Sequence, residues 1–135
     1  MYESQLEQVA DEACRLQRLT QIVTHLLGNA LARTPSGGTV TLTAGLDDAM
    51  QWIQVTDTGS GFAPGESERI FERFYRGSDS GMSTRRRAGR GLGLTIARSL
   101  ARARGGDVVA SSRGLGAGAA FRVTLPAARR RWTAD

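Results

Sequence analysis

The stretch that decides the fold is WIQVTDTGSG, residues 52–61, in which a predicted strand gives way to a glycine-rich loop. Ile53, Val55 and Asp57 alternate with polar residues, so one face of the strand is apolar and ends on a carboxylate. The glycines that follow let another group approach the backbone closely. Because a carboxylate accepts hydrogen bonds from N–H₂ groups, Asp57 suits the exocyclic amine of adenine. The alternative is that Asp57 only caps the turn that follows it.

The chain before this strand predicts helix. Residues 3–17 carry a narrow apolar stripe at helical spacing, which indicates a packing helix or a helix that pairs with another chain. Cys14 in this stretch is predicted to be a small buried hydrophobe. From residue 18 the apolar face widens into a predicted core helix, and its inward residues are Leu19, Ile22, Val23, Leu26, Leu27, Ala30 and Leu31. The same helix carries a row of polar residues four apart: Gln21, His25, Asn29 and Arg33.

The remaining elements fit a mixed sheet covered by helices on one face. Alternation at residues 40–44 predicts a strand that forms a hairpin with residues 52–57. Residues 67–75 predict a short helix, and residues 76–89 contain so few large apolar side chains that they predict a flexible segment. Two closing strands are expected at residues 107–112 and 119–125, joined by a glycine-rich turn.

A second helix is predicted to begin at the glycine cluster of residues 89–93. Free N–H groups and the helix dipole at such a start favour phosphate. The spacing predicts Leu92, Ile96, Leu100 and Ala103 on the buried side of this helix. Arg98, Arg102 and Arg104 are predicted to point towards water.

Composition excludes several function classes. The 135 residues form one domain by length, and the charged residues give a net charge of +5, which suits an anionic partner. All 18 basic residues are Arg, so there is no lysine for a Schiff base or a Walker phosphate loop. One His and one Cys exclude a structural zinc site and an internal disulfide. No apolar run is long enough to span a membrane and the chain starts acidic, so we expect a soluble, cytoplasmic domain.

The order of these segments resembles the ATP-binding domain of histidine kinases, in the GHKL ATPase superfamily. The matching segments are residues 18–35 (N box), 57–61 (first glycine box), 71–74 (F box), 89–94 (second glycine box) and 116–126 (closing glycine motif and last strand). The resemblance implies a two-layer α/β sandwich that binds ATP between the N-box helix and a flexible lid. It divides the chain into an amphipathic helix or linker (1–17), the ATP-binding domain (18–126) and a basic tail (127–135).

The resemblance also implies roles for individual residues. Asn29 is the expected Mg²⁺ ligand, because an amide oxygen suits this hard cation, and Asp57 is the expected reader of adenine. The glycines expected to approach the base or shape the phosphate site are Gly59, Gly61, Gly89, Gly91 and Gly93. ATP and Mg²⁺ are therefore the expected cofactors.

Three positions depart from the family pattern. His25 stands where the family commonly has Asn, Ala32 where it has Lys or Arg, and Arg33 where it has an aromatic residue. Arg33 lies one turn from Asn29 and could supply the missing phosphate charge. His25 is either a candidate general base or a plain polar side chain on the helix. The predicted catalytic residues are therefore Asn29, His25 and Arg33.

The implied function is transfer of the ATP γ-phosphoryl group to a histidine. Because the one histidine of the chain lies within the nucleotide site, the acceptor is expected on a separate chain or a removed phosphoacceptor domain, with a response regulator acting downstream. One alternative is a nucleotide-gated regulator similar to anti-sigma serine kinases, which sequesters a partner. Another is a nucleic-acid binder, which is disfavoured because the few aromatic residues are not interleaved with arginines.

Overall fold

The computed structural model describes residues 2–72 and 90–127. The expected lid and most of the basic tail lie outside these described residues. The elements, in chain order, are α1 (Tyr2–Arg33), β1 (Val40–Asp47), β2 (Met50–Asp57), a 3-10 turn (Arg69–Phe71), α2 (Arg90–Ala103), β3 (Asp107–Ser111) and β4 (Ala119–Pro126). The short helix expected at residues 67–75 is represented by the 3-10 turn, and its last residues are not described.

The four strands form one sheet in the order β1-β2-β4-β3. The predicted hairpin is confirmed, since β1 pairs with β2 and Val40 lies opposite Asp57. Asp57 in turn lies opposite Ala119 of β4. Where a mixed sheet was expected, each of the three pairings between described strands is antiparallel. The two-layer α/β sandwich itself is confirmed.

One face of the sheet packs on the two helices to form the core. The alternation of buried and half-buried residues along β4 shows that a single face of this strand points inward. Helices α1 and α2 also pack against each other above the sheet. The fully buried residues of the core include Ile22, Leu26, Ala30, Val55, Ala97, Ala101, Val108 and Phe121.

Helix α1 is one continuous helix of 32 residues, and its two halves differ in burial. Arg15 donates a hydrogen bond to the carbonyl of Pro126, the last residue of β4, so the residues before Arg15 extend past this end of the sheet. Leu6 and Val9, which lie in this extension, are consequently more than half exposed. The prediction of a buried Cys14 was wrong for the same reason, because its side chain is exposed. Leu31 is also exposed, although the spacing predicted it inside.

The predicted faces of α2 were partly wrong. Within residues 93–103 of this helix the buried residues are Leu94, Ala97, Arg98 and Ala101, whereas Ile96 and Ala103 are exposed. Small alanines occupy the inward face because α2 packs on both α1 and the sheet, and close helix packing leaves little room for long side chains. Arg98 was predicted to face water but is only 8% exposed.

No helix within the described ranges is both long enough and apolar enough to cross a membrane.

Candidate functional site

Asp57, at the end of β2, is a buried carboxylate with one acceptor oxygen left over. Its side chain is 3% exposed, and its Oδ1 accepts a hydrogen bond of 2.8 Å from the Gly59 amide. Its Oδ2 is buried and has no hydrogen-bond partner among the residues that the structure describes. The Gly59 bond shows that the turn-capping role and a ligand-binding role are compatible, because each uses a different oxygen.

Burial raises the pKa of Asp57 above its ordinary value. The Gly59 hydrogen bond, the positive charge of Arg33 and the nearby Ala119 amide lower it again, but they only partly offset the loss of hydration. The ionised carboxylate is therefore incompletely stabilised by the protein. A hydrogen-bond donor from a ligand would supply the missing stabilisation.

Asn29 is the second buried polar side chain with an unused atom. It is 8% exposed on α1, and its Nδ2 has no partner within the described ranges. Rotation of the amide by 180° exchanges its oxygen and nitrogen, so either atom can be offered to a ligand. The predicted role of Asn29 as a metal or phosphate contact thus has an observation that fits it.

Arg33, at the C-terminal end of α1, contacts the first glycine box. Its guanidinium donates a hydrogen bond to the carbonyl of Gly61, and its own carbonyl accepts one of 3.3 Å from the Ser60 amide. A Cβ on Gly59 would collide with the Arg33 carbonyl, so glycine is needed there for packing within the protein itself. The sequence predicted this glycine for ligand approach and did not reveal this internal contact.

The closing glycine motif holds the other side of the same loop. The amide of Gly116 donates to the Ser60 carbonyl at 2.7 Å, and that of Gly118 donates to the Gly59 carbonyl at 3.0 Å. Gly61 has a φ of +61° and packs so closely on this motif that a Cβ would meet the Gly114 carbonyl. The two glycine-rich segments are therefore one hydrogen-bonded unit beside Asp57.

Ser112 joins these two segments and was missed by the sequence reasoning. Its hydroxyl oxygen accepts hydrogen bonds from the amides of Phe62 (3.2 Å) and Gly114 (3.1 Å) and lies 2.6 Å from the Gly118 carbonyl, to which it can donate. A serine two residues before a glycine is typical of a turn in which the hydroxyl binds the amide two residues on. That signal was present at residues 112–114.

The second glycine box meets α1 at His25. Gly91 and Gly93 lie in the first turn of α2, and a Cβ on Gly93 would lie 3.7 Å from Nδ1 of His25. Gly89 lies outside the described residues. Because Asn29 is one helical turn from both His25 and Arg33, α1 links the first turn of α2 to the first glycine box.

Arg98 is a buried cation that the sequence did not indicate. Its guanidinium makes a two-pronged ion pair with Glu68, at 2.8 and 3.0 Å, and its Nε bonds Oδ1 of Asp107 at 3.0 Å. It also lies 4.0 Å from the centre of the Phe71 ring. The Glu68 and Asp107 interactions outweigh burial and raise the pKa of Arg98, so it stays charged.

Comparison with known proteins identifies the family. Residues 14–129 match the family described as histidine kinase-, DNA gyrase B- and HSP90-like ATPases. The chain belongs to this family. The matched range contains every site residue discussed above, and the resemblance inferred from the motif order is confirmed.

Proteins with similar sequences include histidine kinases. The chain is 44% identical over 108 residues to the histidine protein kinase DivJ of Caulobacter vibrioides, covering 80% of this chain and 17% of DivJ. It is 37% identical over 111 residues to the sensor histidine kinase WalK of Bacillus subtilis, covering 81% of this chain and 18% of WalK. The chain thus spans less than a fifth of the length of either relative.

Solved structures share the fold. The mycobacterial sensor histidine kinase MprB superimposes with a TM-score of 0.70 at 30% identity, over 82% of this chain and 72% of that one. Full-length ShkA, solved in complex with AMPPNP, gives a TM-score of 0.66 at 39% identity, over 81% of this chain and 21% of that one. The chain therefore has the fold of an ATPase-family domain from a histidine kinase.

Proposed function

We propose that this chain is the ATP-binding catalytic domain of a two-component histidine kinase, which transfers the γ-phosphoryl group of ATP to a histidine carried elsewhere. Family membership and the sensor-kinase relatives support the reaction class. The observation that carries the proposal is the buried Oδ2 of Asp57, which has no partner in the described part of the chain. A buried acceptor of this kind is costly unless a ligand donates to it.

Adenine is the base that this acceptor selects. Adenine carries an amine at its C6 position, whereas guanine carries a carbonyl oxygen there. The amine donates to the Asp57 carboxylate, and a carbonyl in its place would be repelled. The Gly59 amide keeps the other carboxylate oxygen occupied, which fixes the orientation of the group.

Asn29 and its helical neighbours suit the phosphates and their metal ion. Asn29 would hold Mg²⁺, which neutralises charge on transferring phosphates when it is bound. His25 lies beside the first turn of α2, where backbone N–H groups favour phosphate, and it can contribute a polar contact there. Arg33 is bonded to the Gly61 carbonyl, which supports a role in holding the first glycine box as well as in supplying charge near Asp57.

The phosphoacceptor must be another histidine. The sequence contains one, His25, which is half-buried on α1 one turn before Asn29. A side chain in that position cannot also attack the γ-phosphate in line from outside. Our proposed docking surface for a helical partner that carries the acceptor is the exposed stripe on α1 formed by Leu6, Val9, Ala13 and Leu16.

Labelled ATP tests the reaction directly. The chain should form no acid-labile phosphohistidine alone, and it should label a purified histidine-bearing helical hairpin from a sensor kinase when Mg²⁺ is present. Binding of ATP without any transfer to such a hairpin would favour the nucleotide-gated regulator instead. Self-labelling that disappears in His25→Gln would contradict the proposed acceptor.

The docking surface has its own test. Replacing Leu6 and Val9 with Asp should abolish labelling of the hairpin and leave ADP affinity unchanged, because these residues lie on the part of α1 that extends past the sheet. Replacing the exposed Ser4 and Gln8 with Asp adds the same charge on the opposite side of α1 and provides a control off the apolar stripe. Equal hairpin labelling by the Leu6 and Val9 variant and by this control would reject the surface.

A further inference from the structure

The buried Arg98 occupies the middle of α2, away from the residues that the resemblance assigns to ATP. It is 8% exposed, and its contacts reach in two directions: to the region of the 3-10 turn through Glu68 and Phe71, and to β3 through Asp107. An arginine that makes a two-pronged ion pair fixes both distance and orientation. Arg98 therefore holds the 3-10 turn in one position against α2.

Thr95 makes a second contact between the same two elements. Its hydroxyl donates a hydrogen bond of 2.7 Å to the carbonyl of Phe71. Thr95 and Arg98 are three residues apart and so lie on the same side of α2. Together they bond both the backbone and a side chain of the 3-10 turn region, which resists rotation as well as translation.

The 3-10 turn is continuous with the first glycine box. The Ala63 amide donates to Oε1 of Glu66 at 3.3 Å, and the Ile70 amide donates to the Glu66 carbonyl at 3.1 Å. Phe62, Ile70 and Phe71 are buried in the core along this path. A displacement of the 3-10 turn would therefore be transmitted to the loop beside Asp57.

Arg98 also fixes the position of the first turn of α2, because both belong to the same helix. The helix is continuous from Arg90 to Ala103, so its first turn, with Gly91 and Gly93, moves with Arg98 as one rigid element. In the proposed function, the first glycine box contacts the base and the first turn of α2 contacts the phosphates. The contacts of Arg98 thus join the two halves of one ligand site.

We propose that Arg98 is a positioning residue that sets the spacing between the adenine-binding loop and the phosphate-binding start of α2. A ligand that spans both regions needs that spacing, whereas a ligand that occupies only the base region does not. Loss of Arg98 should therefore weaken ADP selectively relative to adenosine. This inference rests on the proposed function, since it takes the nucleotide to bind across these two regions.

The test compares two ligands on folded variants. The affinity of ADP is measured by calorimetry with Mg²⁺, and that of adenosine by ligand-observed NMR. Arg98→Gln should weaken ADP about tenfold, which corresponds to about 1.4 kcal/mol, while adenosine changes less than about twofold. Arg98→Lys keeps the charge without the two-pronged pair and should recover only part of the loss.

Arg102→Gln is the matched control. Arg102 also bonds Oδ1 of Asp107, at 2.9 Å, but it has no hydrogen bond to the 3-10 turn among the described residues. It should leave both affinities unchanged. If Arg98→Gln fails to fold, Glu68→Gln removes the same ion pair from its exposed partner and should give a smaller loss for ADP alone.

The outcomes separate the two proposals. If the wild-type chain binds no ADP, the proposed function falls, and this inference with it. If the wild-type chain binds ADP, but Arg98→Gln and Glu68→Gln weaken ADP and adenosine equally or not at all, only the positioning role is rejected.

Discussion

Asp57 and Asp107 both stand at strand ends, and the protein surrounds them in opposite ways. Asp57 closes β2 with one oxygen bonded to the Gly59 amide and the other without a partner among the described residues. Asp107 opens β3 and accepts hydrogen bonds from Arg98, Arg102 and the Val108 amide. Burial raises the pKa of Asp57. Burial alone would also raise the pKa of Asp107, but its hydrogen bonds from Arg102, Val108 and Arg98 outweigh burial and lower it.

These different surroundings indicate that Asp107 is a structural carboxylate, whereas Asp57 is kept for a ligand. A carboxylate with its acceptor sites filled stabilises the fold, whereas a buried carboxylate with an unused oxygen costs stability. Natural proteins carry such costs mainly at functional sites. The neighbours differ as well, because backbone of the glycine-rich loops encloses Asp57 and arginine side chains enclose Asp107.

The largest effect is expected from filling the space around Asp57. A Cβ on Gly118 would collide with the Asp57 carbonyl, so Gly118→Ala should lower the free energy of unfolding in urea by about 1–3 kcal/mol more than Gly116→Ala. Gly116 is a matched control, because its φ of +80° is close to the +77° of Gly118 and a Cβ there meets nothing within 4 Å. Equal losses would show that backbone does not enclose Asp57 as described.

A smaller effect is expected from neutralising Asp107. Asp107→Asn should lower the free energy of unfolding by about 1 kcal/mol, because the side chain of Asp107 is 40% exposed and solvent screens its ion pairs. Asp47→Asn, at the exposed end of β1, is the control and should leave stability unchanged. If Asp107→Asn is as stable as wild type, then Asp107, like Asp57, does not stabilise the fold.

The pH dependence of these two effects should differ in sign. The pKa of Asp57 is raised by folding, so stability falls as the pH rises from the unfolded value of 3.8 through the folded pKa, and it stays at the lower level above that pKa. Asp57→Asn should therefore gain stability at neutral pH, and the gain should vanish in acid. The pKa of Asp107 is lowered, so its contribution is present above the unfolded value of 3.8 and is lost as the pH falls through the folded pKa. Urea unfolding of both variants at several pH values checks this, and curves of the same sign would contradict it.

Sequence patterns predicted the parts of the site that depend on local periodicity. Alternation placed Asp57 on the inward face at the end of a strand. Four-residue spacing placed Asn29 in the row of polar residues on α1. Both side chains are buried in the structure. The paired strands of the hairpin followed from the same alternation.

The parts that were missed depend on contacts between distant segments. Arg98 was expected in water because helical spacing cannot show that Glu68, 30 residues earlier, and Asp107 supply its counter-charges. The exposure of Cys14 follows from where the sheet ends relative to α1, which the apolar stripe alone does not reveal. The internal packing of Gly59 against Arg33 likewise needed three-dimensional placement.

Calorimetric titration of ADP with Mg²⁺ into wild type, Asp57→Asn and Asp107→Asn shows whether the unused oxygen of Asp57 binds the base. Asp57→Asn should weaken ADP roughly ten- to a hundredfold, or about 1–3 kcal/mol, and should remove the preference for ADP over GDP. Asp107→Asn should stay within about threefold of wild type, because Glu68 still holds Arg98. Unchanged ADP affinity in Asp57→Asn would contradict the claim that the unused oxygen of Asp57 is kept for the base.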